Sequence, residues 1–366
     1  MIFAGAARLP SRRAARRCYP PPAAGRVGAR AVRCNFFWEP IIAITTFRDL
    51  LAALEAQGQL RRVTREVDPK LELTMVTRRM QLGPNQAIRF DAVRGAGMAV
   101  ASNVMSKREA IATSLGVSMD ELLPTLAARE AKTQPLLPVT SAPVQEVVIT
   151  DAIEVSRALP QIVHSPLDGG PYISAGIFIA KHPDTGVYNA SWNRSQIVAG
   201  DHLRVRMMAP QHLGQYHEIA ERQGKGVPPA CIIGAPPSLM FAASSKVPIE
   251  SDELLVAGGW QGEPLRVVPA GSIPLMVPAD AEMVIEGEIV PFEREDEGPF
   301  GEFMDAYVDV GRNHVFKVTA ITQRRDPVYH VIIAGTPEDL NLLSMMLDVE
   351  VYKAVSKFAK VRDIGS

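Results

Sequence analysis

The runs MVIEGEIV (residues 283–290) and HVFKVTAITQ (residues 314–323) decide how this chain folds. Both are dense in β-branched and apolar residues and stop within a strand's length. That is the texture of a strand in a sheet. Outward from them, similar runs recur at 173–180, 196–208, 230–233, 265–268 and 328–334. Strands succeeding one another at such spacing predict a sheet that curls into a barrel over residues 144–335, interrupted by one helix near 212–223.

Upstream the texture is mixed. In TFRDLLAALEAQG (46–58), Thr46 is an N-cap, Phe47, Leu50, Leu51 and Leu54 share a helical face, and Gly58 is a stop. Helices over 72–80, 106–115 and 119–129 and paired strands at 87–90 and 98–101 predict a small α/β domain over 46–143, closing at a Pro-rich linker, 134–143. A helical stretch over 338–358 opens a last segment, 336–366. The fold class is mixed α/β (α+β).

Bulk properties exclude several functions. Of 366 residues, 47% are hydrophobic and 22% charged; the net charge is -1 and the pI about 6.7. Nothing there points to nucleic acid or an anionic membrane. No apolar run is long enough to form a transmembrane segment. Cys18, Cys34 and Cys231 form no CxxC, which fits a reducing, cytoplasmic setting. Residues 1–38 contain eight arginines and no acidic residue. They read as a disordered basic leader extending to residue 45: a transit peptide, a polyanion-binding arm, or translated sequence ahead of an ordinary enzyme.

Familiar motifs are missing: no GxGxxG in a βαβ setting, no GxxxxGK[ST], no HExxH and no GxSxG. Seven histidines without a tight cluster argue against a zinc hydrolase. Three local features remain. In DEGPFGE (296–302), Glu297 and Glu302 flank a tight turn that can aim both into one pocket, raising the pKa of at least one; the alternative is an acidic surface turn. In NASWNR (189–194), Arg194 can clamp a carboxylate and Trp192 can stack on a flat ring; the alternative is a core Trp beside a solvated Arg. In APQHL (209–213), a helix start with hydroxyls downstream can receive phosphate; the alternative is a structural His212.

Taken in order, Asn-x4-Arg, Gln-His, Glu and Glu-Gly-Pro-Phe-Gly-Glu resemble the UbiD family of prenylated-flavin decarboxylases, continuously from Phe47 to about Lys353. The resemblance implies a split β-barrel binding prenylated FMN, with Ser191, Trp192, Asn193 and Arg194, then Arg206, Met207 and Met208, then Gln211 and His212 contacting the cofactor. It implies Asn189, His212 and Glu253 as ligands of Mn2+ or Mg2+, with K+ near Ala243 and Ser244. Glu297, Arg194 and Glu302 match the family's catalytic network, Glu302 being the proton donor. The implied reaction is reversible, non-oxidative decarboxylation of an aromatic, heteroaromatic or α,β-unsaturated carboxylic acid. A flavin prenyltransferase would supply the cofactor, and the full-length form would be a homo-oligomer. Family members carry a further C-terminal α/β domain, so the resemblance also implies that 336–366 is its truncated start. An FMN-dependent oxidoreductase and a catalytically incompetent flavin- or metal-binding fragment are the rival readings.

Overall fold

The computed structural model describes residues 44–304, 306–361 and 364; the basic leader expected over 1–45 lies outside them except for its last two residues. The first helix, Phe47–Ala56, begins where the sequence sets it: the Thr46 hydroxyl accepts the Asp49 N–H at 3.0 Å, and Phe47, Leu50, Leu51 and Leu54 are buried. Strand Leu60–Val63 pairs in parallel with Ala87–Phe90, which pairs antiparallel with Ala99–Ser102. The fourth strand of this sheet is Val328–Val331, parallel to Ala99–Ser102. This run, expected among the barrel strands, belongs to the first sheet instead. Its apolar run fits either sheet, and periodicity carries no information about which edge it joins.

The second sheet has nine strands and curls into a half-barrel. Its spine is the antiparallel ribbon of Met283–Glu297 and Gly311–Gln323, whose register shifts after Glu286 and after Ile289. Such bulges bend and twist a ribbon, which is how a flat sheet becomes curved. The run at 196–208 is divided: Ser195–Ile197 and His202–Val205 form two antiparallel strands joined through Gly200, whose φ of +86° suits glycine.

Alternate residues of one strand feed two cores. In Ile177–Lys181, Ile177 and Ile179 pack into one cluster while Phe178 and Ala180 pack into the other. Buried on both faces, these strands lack polar alternation, and each fully buried large side chain contributes roughly 1.5–3 kcal/mol. Against the one helix expected near 212–223, found at His212–Arg222, this region has three more among the described residues: the single turn Val155–Ala158 and two longer helices, Pro237–Ser244 and Glu253–Gln261. The longer two are almost wholly buried. With no polar face they have no 3.6-residue pattern to read. The last helix, Pro337–Val355, packs against Leu122–Glu130 and Pro237–Ser244. Among the described residues, no helix is long and apolar enough to cross a membrane.

Candidate active site

The acidic run divides at one residue. Asp296 is a solvent-exposed partner of Arg312 at 3.5 Å, whereas Glu297 is fully buried. Arg194, projecting from the loop between Tyr188–Trp192 and Ser195–Ile197, grips Glu297 through two parallel bonds: Nε to Oε1 and Nη2 to Oε2, each at 3.0 Å. Asn313 Nδ2 donates a third bond at 2.9 Å. The remaining arm of Arg194, Nη1, donates to Glu302 Oε1. The Phe300 ring lies 4.7 Å beneath the guanidinium. Three nitrogens of Arg194 are thus committed to two glutamates. The cation holds Glu302 in place.

The turn bearing these glutamates is clasped from one side. Gly169 N donates to the Pro299 carbonyl at 2.7 Å, and Gly301 N donates to Asp168 Oδ1 at 2.9 Å. A Cβ on Gly169 would lie 2.0 Å from the Gly298 carbonyl oxygen, so only glycine permits this approach. Gly298 itself has φ +106°, open to glycine and strained for other residues. The hydroxyl of Tyr172, buried near Glu297, makes no geometrically sound hydrogen bond. Burial first, and the Glu297 charge second, keep it protonated well above the usual phenol range.

Arg194 and Glu302 face a cavity of about 410 Å³, together with Trp192, Asn193, Arg206, Met208 and Gln211. It adjoins a cavity of about 230 Å³ lined by Ser191, Ala243, Ser244 and Lys246; Trp192, Gln211, Ser174 and Asp339 line both. Trp192 is braced by Nε1 donating to Ser244 Oγ at 2.9 Å. Several polar groups here are unmet: Asn193 Oδ1 and Ser174 Oγ are buried without partners, and Arg206 and Lys246 have no ion pair among the described residues. Met207 is set apart, its side chain packed in the core.

Behind this cavity wall the other expected residues converge. Glu253, 3% exposed at the start of its helix, accepts Asn189 Nδ2 at 2.8 Å and also the Ala190 N–H. His212 Nδ1 lies 3.4 Å from Glu253 Oε1. Burial raises the Glu253 carboxyl above its ordinary range, only partly opposed by His212 and Ala190. Among the described residues, no group of three or more His, Cys, Asp or Glu side chains could hold a metal; this set has two such residues and an amide.

The sequence reading missed Ser174, Phe300, Lys246 and Asp339. Asp339 Oδ2 accepts the Gly335 N–H at 2.9 Å, and burial raises its pKa, with the Glu302 charge adding to the effect. In sequence it was an ordinary acid in a first helical turn.

Comparison with known proteins agrees with this architecture. Residues 51–130 match the N-terminal domain, and residues 137–337 the Rift-related domain, of the UbiD family of 3-octaprenyl-4-hydroxybenzoate carboxy-lyases. The chain belongs to the UbiD family, whose members are decarboxylases. It is 30% identical over 319 residues to the anhydromevalonate phosphate decarboxylase of Methanosarcina mazei, covering 87% of this chain and 72% of that protein. The Methanothermobacter thermautotrophicus protein of the same name is 33% identical over 276 residues, 74% of this chain and 63% of that one. The fold superposes on the UbiD-class enzyme HmfF of Pelotomaculum thermopropionicum, solved with prFMN, at a TM-score of 0.82 and 36% identity, covering 86% of this chain and 73% of the other. Vanillic acid decarboxylase of Sedimentibacter hydroxybenzoicus gives 0.81 at 30% identity, covering 86% and 70%.

Proposed function

We propose that this chain performs reversible, non-oxidative decarboxylation of an aromatic, heteroaromatic or α,β-unsaturated acid, using prenylated FMN and a divalent metal. The observation that carries the reading is Arg194, bonded twice to buried Glu297 and once to Glu302 at the wall of a cofactor-sized cavity. The unmet groups fit a flavin with an anionic tail: Asn193 Oδ1 and Ser174 Oγ for its polar edge, Trp192 for its plane, and Arg206 or Lys246 for its phosphate. Glu253, deeply buried and paired only with an imidazole and amides, would gain from a cation, and an oxygen-rich set with one histidine suits Mn2+ or Mg2+. Asn189 and His212 would complete that set. The Ser244 hydroxyl is already engaged by Met240 and Trp192, so K+ beside Ala243 would rely on carbonyls at the end of their helix.

When bound, the flavin supplies the electron sink that no side chain offers to a carbon losing CO2. Glu297 holds Arg194; Arg194 holds one oxygen of Glu302; the other Glu302 oxygen carries the proton delivered to the reacting carbon. The test is the mass and absorption spectrum of flavin released from protein co-expressed with a flavin prenyltransferase, alongside CO2 release from unsaturated acids. Prenylated flavin with CO2 release supports the reading. Plain FMN with NAD(P)H oxidation would favour a reductase, and no flavin an incompetent fragment.

A further inference from the structure

Glu302 borders two cavities. Beyond the one already described lies a second chamber of about 300 Å³, lined by Thr74, Arg78, His164, Ser165 and Tyr307, and Glu302 is the one residue the two share. Thr74 comes from the helix Glu72–Gln81, and His164 from the segment that clasps the glutamate turn. This chamber is polar in an unusual way. Thr74 Oγ1 and His164 Nδ1 are buried yet have no protein partner. The Tyr172 carbonyl, 3.5 Å from His164 Nε2, assigns the ring proton to Nε2 and leaves Nδ1 an acceptor. Burial, with a smaller contribution from the Arg78 charge, keeps that imidazole neutral. Each atom has almost no accessible surface of its own, so what would meet it is a single buried water tucked between it and the chamber.

Decarboxylation consumes one proton for each CO2 released: the substrate carboxylate leaves as CO2, Glu302 gives its proton to the carbon, and the resulting carboxylate must take one from solvent. On the cofactor side, substrate and flavin would cover Glu302. Given the proton-donor role argued above, we propose that Glu302 is reprotonated through the second chamber, with Thr74 and His164 as positioning residues that hold the relaying water beside it. The remaining charged or titratable groups facing the chamber are Arg78, which has no ion pair among the described residues, and Tyr307, whose hydroxyl accepts the Leu167 N–H at 3.2 Å.

The test is rapid-mix kinetics of the full-length holoenzyme with Thr74→Val, which removes the hydroxyl and keeps the shape, and with Ala306→Trp, which adds bulk at an exposed residue lining the chamber. The expected result is a normal first turnover, one CO2 per site, followed by a steady rate at least tenfold lower, restored by Thr74→Ser or by a small permeant acid such as imidazolium. Steady rates equal to wild type in both variants would overturn the proposal. So would equal slowing of the first and later turnovers, which marks a merely structural role. Glu302→Gln separates the two ideas: if it turns over normally, the proton-donor reading itself fails, whereas an inactive Glu302→Gln beside unaffected chamber variants refutes the chamber alone.

Discussion

Glu282 and Glu297 are fully buried glutamates, each gripped by an arginine. Glu282 accepts Arg48 Nε at 2.8 Å and Nη2 at 2.9 Å, with Arg324 at 3.5 Å and the Val328 N–H at 2.9 Å. Arg48 extends to Asp326, so the cluster closes on itself and ties the first helix to the two sheets. Glu297 receives the same two-pronged grip from Arg194, but the spare arm reaches a carboxylate at a cavity. The depth of the carboxylate and the two-pronged grip are alike in both. What separates a brace from a reactive centre is where the arginine's third contact goes.

The largest expected effect breaks that contrast directly. Arg194→Ala strands Glu297 without a cation and should cost about 3–5 kcal/mol along with all turnover. Arg48→Ala leaves Arg324 near Glu282 and a third of the arginine was already exposed, so about 1–3 kcal/mol is expected, with turnover per folded molecule kept. Denaturant midpoints and initial rates measure both; equal costs and equal activity losses would erase the distinction. Glu302→Gln should lower turnover by roughly 10²–10⁴ while moving stability by less than about 1 kcal/mol, the signature of a group spent on chemistry. Near-wild-type rates in this variant would make the Glu297 cluster as structural as its counterpart.

Asn189→Ala or Glu253→Ala should reduce bound metal and bound flavin together, by about tenfold or more, read by elemental analysis and flavin absorbance. Unchanged manganese beside unchanged flavin would leave this cluster a brace as well. A different kind of effect is expected in acid. Burial holds His164 down at about 4 and His314 at about 3, below the ordinary value near 6.5. Between pH 6.5 and 4 the unfolded chain therefore binds protons that the folded chain refuses. The stability these groups give is full above pH 6.5 and is lost as pH falls. His164 stands beside Phe300, near the Glu297 turn, whereas His314 packs edge-on against His217 on the other face of its strand. Midpoints measured across that window should slope downward toward acid, and His164→Gln should flatten the slope.

Much of this was written in local sequence. Thr46 and its four apolar partners announce the first helix because capping and periodicity act within a few residues. The GPFG turn, a stiff junction between strands, marks Glu297 and Glu302. Local sequence cannot tell buried Glu297 from exposed Asp296, since burial depends on Gly169, Gln196 and Asn313 arriving from elsewhere. Nor does it separate Glu282 from Glu297. Residue-type order along the chain pointed to two groups that the fold does assemble: Arg194 with Glu297 and Glu302, and Asn189 with His212 and Glu253. Lys246, Asp339 and the almost wholly buried helix Pro237–Ser244 had no distinguishing pattern, and Met207 turned inward while its neighbours Arg206 and Met208 face the cavity.

The strand Val328–Val331 sets a timetable. It completes the sheet begun by Leu60–Val63, yet every strand of the half-barrel is synthesised before it. During translation the Ala99–Ser102 strand must wait with an open edge, an exposed template for mispairing, until the far end of the chain emerges. A cut at the Pro-rich linker would therefore release a fragment with an unfinished sheet, prone to stick to copies of itself. A chimera exchanging only the N-terminal portion with a relative would inherit a foreign fourth strand, and its yield should recover when that strand is exchanged as well.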